Sequence, residues 1–214
     1  MPQRILSQLP EIAGLRKLCQ SLAMLDAIIE PAWDLRYFSF NSKWAGGEEM
    51  ASMRDGSGDD YFILFNRAGA IIKGYAHESI FAGHFVEQGR AWPGVLEAVP
   101  TDFADFFTEP AFEAEAATFC FWRKTSDTAW QVGPVDFPSS PDPDGADDLL
   151  FALDPKPRIY HSWAEEYHGI ELPLDSIEAV YAHQPLTQQI VHRLKPDRTL
   201  DALAEDIAEI NYPS

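Results

Sequence analysis

The apolar positions of the chain follow two periods. Between residues 8 and 30 they recur at helical spacing, with Ile12, Leu15, Cys19, Leu22, Leu25 or Asp26, and Ile29 on one side. Pro10 suits the first turn of that helix and Pro31 stops it. Beyond it the pattern becomes that of strands. Residues 35–41 are rich in aromatics and read as one strand, and residues 49–53 as a short second one, with turn signals at 45–48 and 54–59. Residues 59–75 are the most informative stretch. Residues 61–65 are an unbroken apolar run, long enough for a buried strand and too short for an ordinary helix. Residues 66–69 form a turn signal, with Gly69 free to take positive φ. Ala70, Ile71 and Ile72 resume the apolar pattern, and Gly74 weakens the end of this second strand. Strands joined so closely pair antiparallel, so residues 35–75 predict a meander of about four strands.

The following stretch is less regular. Ser79 can cap a short helix that ends at Gly89, with Gly83 inside it. Residues 100–102 open a further helix, with Phe103, Phe106 and Phe107 inward and Pro110 as its stop. Residues 118–123 are apolar on both faces, as a central strand would be, and residues 128–132 return the chain beside them. Residues 133–148 are rich in Pro, Asp and Ser. Helical patterns dominate afterwards. Ile159, Tyr160, Trp163 and Tyr167 make a stripe, Asp175 to Glu178 read as a capping box, residues 187–194 form a helix, and Thr199 caps the last one. The expected architecture is α+β: an antiparallel sheet of about six strands with an N-terminal helix and a C-terminal helical region packed on it. Residues 1–138 form the sheet region, 139–148 a Pro/Asp-rich linker, and 149–214 a helical region packed on the first as one unit.

Charge narrows the choice of partners. The net charge is −18, and it is uneven. Residues 1–75 hold 8 basic and 9 acidic side chains, residues 76–150 hold 3 and 14, and residues 151–214 hold 5 and 11. Such a field repels phosphate backbones, so nucleic acid and anionic membranes are poor partners and a basic protein or a cation is a better one. No window approaches the length of a membrane span, and no apolar core stands behind a basic start, so neither a membrane nor a signal peptide is expected. Cys19 and Cys120 lie in apolar patterns and read as reduced core residues, which suits the cytoplasm.

Candidate chemistry is sparse. His77, Glu78 and His84 make H-E-x5-H, which resembles a metal-protease motif but spaces its histidines seven apart where a shared helix face needs four. A metal-assisted hydrolase using these three is the alternative function. Glu165 and His168 have carboxylate–imidazole spacing in a single copy, where di-iron bundles need two. Asp142, Asp144, Asp147 and Asp148 fit an acidic turn before a helix better than a calcium loop, because Gly145 comes too early. No nucleophile elbow, P-loop or dinucleotide fingerprint is present. No catalytic residue, metal or cofactor is therefore assigned. Residues 76–94 are long for a connection and carry aromatics of the kind that anchor interfaces, so His77, Glu78, Phe81, Phe85 and Trp92 are the candidate binding residues.

Several stretches resemble a set of uncharacterised bacterial cytoplasmic proteins: residues 55–62, Lys73-Gly74-Tyr75, His77-Glu78-Ser79, Trp92-Pro93-Gly94 and residues 118–122. Tyr181, Pro185-Leu186-Thr187 and Tyr212-Pro213 extend the likeness over most of the chain. In general style, acidic, α+β and without a catalytic motif, the chain is similar to immunity proteins such as the SUKH superfamily. That resemblance implies a non-enzymatic protein-binding module, and it carries over no individual residue.

Overall fold

The computed structural model describes residues 5–214. The helical spacing near the N-terminus becomes α1 (Ile12–Ile29), and the strand patterns become β1 (Phe38–Ala45), β2 (Glu48–Arg54), β3 (Asp60–Asn66) and β4 (Gly69–Tyr75). After α2 (Ile80–Gln88) the chain returns as β5 (Phe119–Lys124) and the two-residue β6 (Gln131–Val132). The six strands lie side by side in chain order and every neighbouring pair is antiparallel. Helices α3 (Ala146–Leu149), α4 (Pro157–His168), α5 (Leu174–Tyr181), α6 (Gln188–Leu194) and α7 (Ala204–Ile210) follow. The molecule is thus α+β, with the N-terminal helix and the C-terminal helices packed on one six-stranded antiparallel sheet.

Alternation along the strands divides the interior in two. Phe38, Phe40, Met53, Tyr61, Ile63 and Ile72 point to the face covered by α1 and the C-terminal helices. Met50, Phe62, Leu64, Ile71, Cys120 and Trp122 point to the other, covered by Phe81, Phe103, Phe106 and Phe112 from residues 76–117. Burial on both faces is why residues 61–65 form an unbroken apolar run. Lys73 shares the second face and is 1% exposed. Its Nζ lies 3.5 Å from Asp60 and 5.8 Å from the centre of the Phe62 ring, and burial lowers its pKa.

Three local expectations need correction. The helix expected to open at residues 100–102 and stop at Pro110 is a 3-10 segment (Thr101–Thr108), and two short 3-10 turns follow it (Pro110–Phe112, Ala114–Ala116). A period of three puts Phe103 and Phe106 on one inner line and leaves Phe107 half-buried. Asp175 is not a cap either. Pro173 sets the start of α5 one residue ahead of Asp175, whose carboxylate instead takes both Arg193 guanidinium nitrogens at 2.7 Å. Gly74 is required by packing and is no mere weak point: a Cβ there would lie 2.0 Å from the Phe119 ring across the β4–β5 pair.

Asp26 on α1 joins the layers. It is fully buried; Oδ2 accepts the backbone N–H groups of Tyr37 and Phe38 at 2.8 Å, and Oδ1 accepts the Tyr160 hydroxyl at 2.9 Å. Burial pushes the carboxyl up to about 6, against the opposing pull of the Phe38, Tyr160 and Tyr37 hydrogen bonds. The folded value lies above the unfolded one, so this group's contribution to stability is complete below about pH 4 and is lost as pH rises through about 6. The stability of the wild type relative to Asp26→Asn is therefore expected to fall by about 3 kcal/mol between about pH 4 and pH 7. Urea denaturation of both proteins across that range measures it; parallel pH profiles would contradict the assignment.

Candidate functional site

The candidate residues occupy the segment that leaves β4. Two stretches far apart in the sequence meet here. Asp55 folds the turn before β3 back on itself: burial would raise its pKa, but the Ser57 hydroxyl and the amides of Ser57, Asp59 and Gly58 outweigh that and lower it. The turn presents Asp59, whose Oδ1 accepts the backbone N–H of His77 and faces His77 Nδ1, both at 2.7 Å. The Asp59 hydrogen bond raises the pKa of the exposed His77 imidazole. Glu78 beside it has a side chain 90% exposed.

Ser79 then caps α2 by accepting the Ala82 N–H at 3.1 Å, and Gly89 ends the helix at φ 68°. Phe81 is 1% exposed and stacks on Trp92 at 4.5 Å with ring planes 2° apart; Phe137 stacks beside it at 5.9 Å. Phe85 is half-buried, edge-on to Tyr75. The Pro/Asp-rich stretch runs against this segment. The Phe81 N–H donates to the Pro143 carbonyl at 3.2 Å, and a Cβ on Gly145 would lie 2.2 Å from that of Ala76. Gly94 and Gly133 let two backbones cross where side chains would collide.

Two of the five candidates, Phe81 and Trp92, therefore cover the sheet, with Phe81 wholly inside, while Phe85 lies half-buried beside Tyr75 and His77 and Glu78 face solvent. Sequence reasoning missed the residues that α2 turns outward: Ile80 is 46% exposed and Val86 76%. Their signal was present, since Ile80, Gly83 and Val86 recur every three residues, opposite Phe81 and Phe85.

His77, Glu78 and His84 are not assembled into a centre. His77 is held by Asp59, whereas His84 lies edge-on to Trp92 at 5.1 Å, its Nε2 buried without a hydrogen-bond partner. Among the described residues no group of three or more His, Cys, Asp or Glu side chains converges in a way that could hold a metal ion. Glu165 accepts the Leu172 N–H and sits 3.4 Å from His161, so its side chain serves the end of α4. Asp142 accepts the amides of Asp147 and Asp148 at the start of α3. Both cysteines are buried and free, and burial pushes the Cys120 thiol up to about 12, far from a reactive thiolate. Among the described residues no helix is long and apolar enough to cross a membrane.

No protein-family model matches the chain, and no curated protein and no solved structure is similar to it beyond chance.

The two faces of α2 are expected to respond differently to substitution. Phe81→Ala should cost about 3–5 kcal/mol of stability, as for a buried phenylalanine, while Val86→Lys should stay within about 0.5 kcal/mol. Thermal or urea unfolding measures both, and equal losses would contradict the assignment of faces.

Proposed function

We propose that the chain is a non-enzymatic, acidic binding module of the cytoplasm, of the immunity type, that takes a basic protein partner on the outer face of α2. The observation that carries this reading is the unpartnered apolar line Ile80, Gly83 and Val86 on a helix whose other face buries Phe81 and Ala82. A Cβ on Gly83 would meet nothing within 4 Å, so a partner surface can approach the helix backbone there. Exposed carboxylates flank the line at Glu78 and Glu87, within the third of the chain that carries 14 acidic and 3 basic side chains. Acidic surroundings speed encounter with a basic surface, and apolar anchors at the centre set the lifetime of the complex. The SUKH-like resemblance points to the same class of function.

The expected result is that immobilised wild type captures a basic protein from native cytosol, more weakly as salt is raised, and that Val86→Lys at an unchanged melting temperature cuts the capture at least about tenfold. Mass spectrometry of both eluates decides it. An acidic captured protein, or one retained equally by the variant, would overturn the proposal.

A further inference from the structure

β1 is an outer strand of the sheet, and part of its free edge has no partner. Two bonds fix the direction of its backbone groups. The Arg54 N–H donates to the Tyr37 carbonyl on the β2 side, and the Phe38 N–H donates to Asp26 on the opposite side. Successive residues of a strand aim their N–H and C=O groups to opposite sides. The Phe38 carbonyl and both backbone groups of Phe40 therefore face away from β2, and no backbone or side-chain group of the described residues pairs with them. Unpaired backbone groups along a strand edge are free to hydrogen-bond a ligand or water.

Phe38 and Phe40 line a cleft of about 290 Å³. Trp33 and Trp44 also line it and are 55% and 41% exposed, unusually open for indoles. The Arg54 guanidinium lies 5.4 Å over the Trp33 ring, and the Trp44 ring is 5.8 Å from Phe112. The charged lining residues Arg36, Arg54, Asp206 and Glu209 balance, and Arg36 already pairs with Asp206 at 2.5 Å.

We propose that this cleft binds a planar heteroaromatic ring of the nucleobase type, with a neighbouring donor and acceptor on its edge meeting the Phe38 carbonyl and the Phe40 N–H. A carbonyl and an N–H two residues apart on one side of a strand present an acceptor and a donor in the plane of the sheet, the complement of a base edge. The tryptophans supply faces for stacking. The cleft's volume is at the lower end of ligand sites, about 300 Å³, which suits a base or nucleoside. A balanced lining inside a molecule of charge −18 favours a neutral ligand over a nucleotide.

The test is quenching of tryptophan fluorescence by adenosine, guanosine, cytidine and uridine, each titrated into the full chain. At least one is expected to saturate with a Kd below about 1 mM. Its analogue methylated on the base-pairing edge should bind at least tenfold more weakly. Trp44→Ala should weaken binding by a similar factor at an unchanged melting temperature, and Trp44→Phe should restore most of it. Binding is then read for the variants by calorimetry, because the reporter is altered. Failure of all four nucleosides to saturate, equal binding of the methylated analogue, or no effect of Trp44→Ala would each overturn the proposal.

Discussion

A single buried carboxylate ties together three parts of the chain that are distant in sequence. Asp26 belongs to the first helix, its two amide donors to the start of β1, and its hydroxyl donor to α4, 134 residues away. A buried carboxylate without donors would be strongly destabilising, so its own burial enforces the arrangement that supplies them. The neighbouring polar residues of α1 work the same way. Gln20 donates to the Ile210 carbonyl and Ser21 to that of Val180, while the Tyr212 hydroxyl reaches the same Val180 carbonyl. Apolar burial drives α1 into the interior; these few directional bonds fix which helices meet it and at what rotation.

The sheet carries the other half of the architecture, and its pattern was legible. An apolar run too short for a helix and a turn at Arg67-Ala68 specify β3 and β4, and burial on both faces explains why the run does not alternate. What escaped reading depended on partners that no local pattern names. Asp26 looked like one polar residue on an apolar stripe, because its donors are backbone amides, which any sequence has. Gly74 looked like a flaw because the ring that occupies its missing side chain arrives from β5. The stretch from Thr101 to Pro110 carries the start and stop signals of any helix, and these do not tell a 3-10 segment from an α-helix.

The course of the segment after β4 was legible, and the orientation of its helix was not. Residues 76–94 leave β4 and supply part of the cover of the second core through Phe81 and Trp92. A helix of nine residues has apolar side chains on both sides here, and composition cannot say which side the sheet takes. The stacking of Phe81 on Trp92 decides it, leaving Ile80 and Val86 for solvent. The cleft at the β1 edge was invisible for a related reason. It is made from the free side of a strand and from helix α7, which the sequence places about 170 residues apart.

The most direct test of the central claim is native-state hydrogen exchange at the Tyr37 and Phe38 amides. If the Asp26 carboxylate locks the helices to the sheet, both amides exchange only through global unfolding, with the same opening free energy and urea dependence as the Ile63 and Ile72 amides in the middle of the sheet. Exchange of Tyr37 and Phe38 through a low-energy local opening, insensitive to urea, while Ile63 and Ile72 stay protected, would contradict it.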